Sequence, residues 1–170
     1  MIIVRQFSES ADYRDAPQII VELPYDSRKK SRLRVMSRCG HEVGIQLPRG
    51  SELLHGQRLL ADSGEVVEIV ASAETLSTVT SPNPLLLTRA AYHLGNRHMP
   101  LQVGEGWLRY QHDHVLDDMV RGLGLEVTVE KAPFQPESGA YHRGGEGGHH
   151  HHHEDADGHG HHHADHHHDQ

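Results

Sequence analysis

The chain has 170 residues, of which 16 are Lys or Arg, 24 are Asp or Glu and 19 are His, giving a formal net charge of −8. Five of the acidic residues and no Lys or Arg lie in residues 149–170, so the rest of the chain is nearly balanced in charge. That balance argues against a general binder of polyanions such as nucleic acid. Cys39 is the only cysteine, which excludes an internal disulfide and a zinc cage built from Cys alone.

The first ten residues contain Arg5 and Gln6, where a signal peptide needs an unbroken apolar run. No later segment approaches the roughly 20 consecutive apolar residues of a membrane-spanning helix. We therefore expect a cytoplasmic protein that does not cross a membrane.

Residues 1–73 show the pattern of short β-strands. Five segments are β-branched or alternate between apolar and polar residues, and Gly and Pro separate them, which predicts an all-β domain, a small barrel or sandwich, with partner binding as its expected role. The predicted strands are residues 2–7, 18–23, 33–37, 43–47 and 66–71.

A basic cluster at residues 28–34 leaves two interpretations open. It could contact an acidic partner or nucleic acid, or it could be a solvated loop followed by the outward face of a strand. The second interpretation is favoured because no aromatic residues interleave with the basic ones for base stacking. Cys39-Gly40-His41 predicts a hairpin turn, with stray metal binding as the alternative.

Residues 74–136 predict the order strand, helix, strand, strand, helix, strand, which is the ferredoxin-like βαββαβ unit. Asn83 and Asp113 are expected as the N-caps of the two helices, with Pro84 at the first position of the first one. Gly95 is expected to end that helix in the left-handed conformation. The fold class is therefore α+β: an all-β domain, a ferredoxin-like domain, and a disordered Gly/His-rich tail at residues 137–170, whose composition cannot bury enough apolar surface to fold.

Histidines are the candidate metal ligands. His98 is predicted to lie exposed on the turn after the first helix, and His112 and His114 where a strand passes into the second helix. Neutral imidazole with neighbouring carboxylates suits Ni(II), and Cu(II) or Zn(II) would take the same ligands. Further along the chain the candidates are His142, His149, His150, His151, His152, His153, His159, His161, His162, His163, His166, His167 and His168.

Three features together, the sequence Gly95-Asn96-Arg97-His98, the segment 109–117 and the His-rich tail, resemble the UreE family of urease accessory proteins. The resemblance implies a homodimer with His98 as a nickel ligand at its interface, and His112 and His114 as a second pair. It also implies a metallochaperone that collects Ni(II) and delivers it to apo-urease together with a partner GTPase. Passive storage of nickel or zinc is the alternative, while an enzyme is disfavoured because no His-Glu-x-x-His or comparable ligand set occurs.

Overall fold

The computed structural model describes residues 1–8 and 18–138. The predicted disordered tail from residue 139 onward, with its thirteen candidate histidines, lies outside the described residues. Residues Met1–Glu137 form one compact unit. Among the described residues, no helix has the length and apolar character required to span a membrane.

The N-terminal part is built on one six-stranded sheet with the order β2-β6-β5-β1-β4-β3. The backbone N–H of Arg38, in the turn between β3 and β4, donates to the carbonyl of Ile20 in β2 at 2.8 Å, so the two outer strands of the sheet approach each other there. The predicted all-β domain is confirmed, with one added helical turn, α1. Its elements are β1 Ile2–Phe7, β2 Gln18–Leu23, α1 Tyr25–Arg28, β3 Arg32–Met36, β4 Glu42–Gln46, β5 Arg58–Ala61 and β6 Val66–Ala71.

Strand β5 was not predicted, and the strands predicted at 33–37 and 43–47 each begin one residue earlier. The sequence of β5, Arg-Leu-Leu-Ala, is only four residues long and favours a helix by intrinsic propensity. It becomes a strand because it pairs with β1 on one side and with β6 on the other, both antiparallel. The predicted hairpin turn at Cys39-Gly40-His41 is confirmed: Gly40 has a φ of 83°, and the Ser37 N–H donates to the His41 carbonyl at 2.8 Å.

The C-terminal part is a four-stranded antiparallel sheet with the order β10-β7-β9-β8. This order and the two intervening helices confirm the predicted ferredoxin-like fold. Apolar side chains of α2 and α3, among them Leu94 and Val120, pack on Tyr110 and Leu108 of β9 to form one core. The elements are β7 Ala73–Thr80, α2 Pro84–Gly95, β8 Gln102–Gly104, β9 Trp107–Gln111, α3 His114–Gly122 and β10 Glu126–Pro133.

Both predicted N-caps are confirmed. The side chain of Asn83 accepts a hydrogen bond from the Leu85 N–H, and that of Asp113 accepts from the N–H groups of Val115 and Leu116. The Val115 side chain, next to the cap of α3, points away from the core and is 55% exposed. Leu116 is the neighbour that turns toward the sheet, since residues adjacent in a helix point about 100° apart.

Arg28 corrects the expectation that residues 28–34 form a solvated cluster, because its side chain is fully buried. Its guanidinium donates to the carbonyls of Leu23, Leu53 and Phe134 and to the Gln135 side chain. These acceptors come from the first sheet, the loop before β5 and the segment after β10, so Arg28 ties the two parts of the compact unit together. Arg32 and Arg34 of β3 are exposed as expected.

Candidate metal centre

His98 lies on the turn that ends α2 and is exposed, as predicted. Its backbone φ is 56°, and among the described residues it is the only one other than glycine with a positive φ. The predicted left-handed residue, Gly95, is instead the last residue of α2. The prediction of the left-handed position was therefore wrong by three residues, and the position holds the candidate ligand itself.

Two hydrogen bonds explain why the left-handed residue falls at His98. The His98 N–H donates to the Gly95 carbonyl at 2.9 Å, and the Met99 N–H reaches the Leu94 carbonyl at 3.5 Å, which is the Schellman pattern of a helix end. Met99 packs on the core cluster that contains Leu94, the apolar contact that accompanies this motif. The end of the helix is thus set by where Met99 meets the core, and the residue before Met99 must be left-handed.

A left-handed conformation is unfavourable for a residue with a side chain, by about 1–2 kcal/mol. Glycine usually occupies this position of the motif because it has no such penalty. An exposed His in this conformation is the kind of local strain that marks functional sites. The backbone geometry therefore singles out His98 independently of its chemistry.

The helix that leads to His98 has an exposed face with large apolar side chains. Tyr92 is 65% exposed and Leu85, two turns earlier, is 56% exposed. Residues seven apart lie on one face of a helix, so these two side chains share a side of α2. The ring of His93 lies edge-on to that of Tyr92, with 5.3 Å between ring centroids.

His112 and His114 flank Asp113 at the junction of β9 and α3, as predicted. The Asp113 carboxylate caps α3, and its hydrogen bonds from the Leu116 and Val115 N–H groups hold the pKa of this carboxyl below its usual value. His114 is the first residue of α3 and is exposed. His112 instead lies over a group of buried polar side chains.

Three side chains form that buried polar group: Ser77 of β7, Tyr110 of β9 and Asp117 of α3. The Nδ1 atom of His112 is 3.2 Å from Oδ2 of Asp117 and 3.1 Å from Oγ of Ser77. The Tyr110 hydroxyl donates to Oδ1 of Asp117 at 2.8 Å. Burial is the main cause that raises the pKa of the Tyr110 hydroxyl, and the contact with Asp117 raises this pKa further.

Sequence reasoning missed these three residues. One signal was present: Asp117 follows Leu116 and precedes Val120 by three residues, so it lies at helical spacing on the buried side of α3. An acid at such a position requires hydrogen-bond partners, because a buried charge without them is strongly unfavourable. Only the fold reveals that His112 is one of those partners.

The topology brings His98 and His112 to the same end of the second sheet. Strand β8 begins at Gln102, shortly after His98, and pairs antiparallel with β9, which ends directly before His112. The last residues of the described part of the chain also lie at this end, because the Glu137 N–H donates to the Leu101 carbonyl at 2.8 Å. The segment that leads to the His-rich tail is therefore hydrogen-bonded to Leu101, which lies three residues after His98.

Other histidines of the described residues have local partners. Nδ1 of His55 accepts a hydrogen bond from the Ala71 N–H at 3.1 Å, and Nδ1 of His41 is 3.3 Å from the Cys39 sulfur. Within residues 1–8 and 18–138, no group of three or more His, Cys, Asp or Glu side chains is arranged to hold a metal ion. The predicted ligands from His142 to His168 lie outside these ranges.

Comparison with known proteins matches both parts of the chain. A family model described as the N-terminal domain of the UreE urease accessory protein matches residues 3–72, and one described as its C-terminal domain matches residues 74–170. The urease accessory protein UreE of Teredinibacter turnerae is 61% identical over 122 residues, covering 72% of this chain and 79% of that protein. That of Pseudomonas putida (strain W619) is 55% identical over 143 residues, covering 83% of this chain and 86% of that protein. That of Proteus mirabilis is 51% identical over 140 residues, covering 82% of this chain and 87% of that protein. The chain therefore belongs to the UreE family of urease accessory proteins.

Proposed function

We propose that this protein, an accessory factor of urease maturation and not an enzyme, binds Ni(II) and delivers it to apo-urease. In this proposal the His-rich tail collects the ions and one ion is held by His98 residues from two chains. The partners are a second copy of the chain, the urease accessory GTPase and the apo-urease assembly complex, all in the cytoplasm. Residues 1–73 contact the GTPase and the apo-urease complex. Residues 74–136 form the dimer and bind metal, and residues 137–170 collect the metal ions.

The observation that carries the proposal is the left-handed, exposed His98. A side chain at this backbone position is unfavourable for folding, so the imidazole has to be accounted for by its chemistry. Imidazole is a good ligand for Ni(II), and an exposed turn at the end of a rigid helix presents it to another molecule.

A pair of chains makes His98 an effective ligand. One imidazole supplies a single bond to a metal, whereas a two-fold axis brings equivalent residues face to face and supplies two. The exposed Tyr92 and Leu85 side chains offer apolar surface along the helix that leads to the turn, for such an interface.

The tail is tethered close to this turn. His142 follows Glu137 by five residues, and a chain spans at most about 3.6 Å per residue, which sets about 18 Å as the upper limit of the distance between them. Because Glu137 is hydrogen-bonded beside Leu101, the first tail histidine can reach the neighbourhood of the His98 turn. His112 and His114, at the same end of the sheet, are proposed as the second pair of ligands.

Ligand chemistry does not select nickel by itself, because Cu(II) binds such nitrogen ligands more tightly than Ni(II), and Zn(II) binds them too. Selection then depends on which metal is available and on the receiving protein. A segment that offers many weak ligands also releases its ions readily, which suits transfer.

The test is calorimetric titration with Ni(II) of the full-length chain, a chain ending at Tyr141 and the His98→Ala variant of each, with molecular mass measured in parallel. We expect the shortened chain to lose most of the bound ions but to keep about one per two chains, because that site lies across the two-fold axis. His98→Ala should remove this last site, whereas His93→Ala, which changes an exposed His within α2, should keep it. Retention of the site in the His98→Ala chain would refute its role as a ligand.

Passive storage of nickel or zinc is favoured by one feature, the twelve histidines of residues 149–170. Storage requires only that the tail bind ions, whereas delivery requires transfer to a partner. The two are separated by mixing the Ni(II)-loaded protein with apo-urease and its accessory GTPase and measuring urease activation. Delivery predicts more activation than the same total Ni(II) gives when it is held by the His98→Ala variant, while storage predicts no difference.

A further inference from the structure

The contacts of His112 determine which of its ring nitrogens carries the proton. Nδ1 faces Oδ2 of Asp117 at 3.2 Å. A carboxylate oxygen only accepts hydrogen bonds, and a bare Nδ1 lone pair facing it would be repelled. The Ser77 hydroxyl, 3.1 Å from the same Nδ1, can donate or accept a hydrogen bond and therefore fits either tautomer. The carboxylate fits only the tautomer with the proton on Nδ1, which leaves the Nε2 lone pair as the metal-binding atom.

Asp117 is itself held rigidly. Its side chain is 2% exposed, and its other oxygen accepts the hydrogen bond from the Tyr110 hydroxyl at 2.8 Å. The Tyr110 ring is fully buried in the core beneath α3, and the Ser77 hydroxyl is 3.1 Å from Nδ1 of His112. Arg121 of the next helical turn is 3.9 Å from Oδ2 and partly balances the charge.

This arrangement is a carboxylate-histidine pair of the kind found behind metal ligands, where the carboxylate fixes the tautomer and the ring orientation of the histidine. Both histidines are exposed, but only His112 contacts the buried carboxylate, while His114 occupies the first position of α3. The two candidate histidines of this segment are therefore not equivalent.

We propose that Asp117 is a positioning residue that holds His112 as the Nδ1–H tautomer, so that His112 binds Ni(II) through Nε2 in a fixed orientation. Tyr110 supports it by fixing the carboxylate, and the Ser77 hydroxyl lies within hydrogen-bond distance of the same Nδ1. This inference deepens the proposed function and rests on it, since it assumes that His112 is one of the nickel ligands.

The first test concerns the metal-free, full-length protein. Two-bond ¹H–¹⁵N correlation spectra distinguish the two neutral tautomers, and the His112→Gln variant identifies the resonances of His112. We expect the Nδ1–H tautomer in the unchanged protein and a larger share of the Nε2–H tautomer in Asp117→Asn, because an amide holds Nδ1–H less strongly than a carboxylate does. Asp118→Asn is the matched control: it removes the same charge from the next residue, which is 75% exposed, and should leave the tautomer unchanged.

The second test measures nickel occupancy at His112 within the full chain. Free Ni(II) is fixed with a metal buffer, so that binding by the tail does not deplete it, and exposed imidazoles are modified with diethyl pyrocarbonate and located by mass spectrometry. We expect Ni(II) to protect His112 and His98. Asp117→Asn should require about ten- to a hundred-fold more free Ni(II) for half protection of His112, while Asp118→Asn should behave as the unchanged protein.

Tyr110→Phe provides a second variant should Asp117→Asn fold poorly, because it removes only the hydroxyl that fixes Asp117 and keeps the ring in the core. It should shift the protection of His112 in the same direction by a smaller factor. Far-UV circular dichroism of each variant checks the fold.

The outcomes separate this inference from the proposed function. Protection of His98 without protection of His112 would overturn the inference and leave the proposed function standing, whereas protection of neither would overturn both. An Nε2–H tautomer in the unchanged protein, or unaltered tautomer and protection in folded Asp117→Asn, would overturn the role of Asp117.

Discussion

The substitution His98→Gly should make the metal-free protein more stable. His98 has a φ of 56°, a conformation that is unfavourable by about 1–2 kcal/mol for a residue with a side chain and carries no such penalty for glycine. Glycine also makes the unfolded chain more flexible, which offsets about 0.5–1 kcal/mol of that gain. His98 is exposed, so few packing contacts are lost. The net expectation is a gain of about 0.5–1 kcal/mol in the free energy of unfolding.

A matched substitution gives the reasoning its control. His93 is an exposed histidine of α2, the helix that precedes the His98 turn, and it lies within regular right-handed structure. His93→Gly should therefore lower the free energy of unfolding by roughly 0.5–1 kcal/mol, through the low helix propensity of glycine. The two His→Gly substitutions, five residues apart, are thus expected to act in opposite directions.

The assay is urea unfolding in the presence of a chelator, followed by circular dichroism, with the free energy taken from the midpoint and slope. Addition of Ni(II) should reverse the order of stability if His98 binds it, because a ligand that binds only the folded state stabilises by about 2.7 kcal/mol at a hundred times its Kd. A loss of stability in metal-free His98→Gly equal to that in His93→Gly would refute the argument from the left-handed turn.

Three further predictions concern the rest of the fold. Arg28→Met should lower the free energy of unfolding by about 3 kcal/mol, because it leaves buried carbonyls such as that of Phe134 without a donor. The control Lys30→Met, at an exposed site, should change it by less than about 0.5 kcal/mol. Equal urea midpoints for the two variants would contradict this. A hydrogen bond from Thr78 and, to a smaller extent, one from Arg109 lower the pKa of Glu130. This carboxylate therefore stabilises the fold above its unfolded-state pKa, and the stabilisation is lost as the pH falls through the lower folded-state pKa. Glu130→Gln should therefore be less stable than the unchanged protein at pH 7 and equal to it in acid below that pKa, and a constant difference in urea midpoint across the range would count against the assignment. A chain ending at Tyr141 should unfold at the same urea midpoint as the full-length chain without metal, because the three core clusters of the described residues all lie before residue 138; a lower midpoint would mean that the tail contributes to folding.

The sequence by itself determined the features that depend on neighbours along the chain. Alternating strands, the caps Asn83 and Asp113, and an exposed His98 after an apolar helix all follow from local periodicity and from local hydrogen bonds. The order of those elements predicted the ferredoxin-like sheet, because its strands and helices are each long enough to carry a clear pattern. The composition of the tail likewise predicts its histidines as ligands without reference to a fold.

Only the tertiary structure decided which residues meet across the chain. Arg28 is buried because the segment after β10, more than 100 residues later, packs over it. His112 is held because α3 places Asp117 behind it, and the left-handed turn falls at His98 and not at Gly95 because Met99 must reach the core. Each of these outcomes depends on how side chains pack in the folded core, and local periodicity carries no information about such contacts.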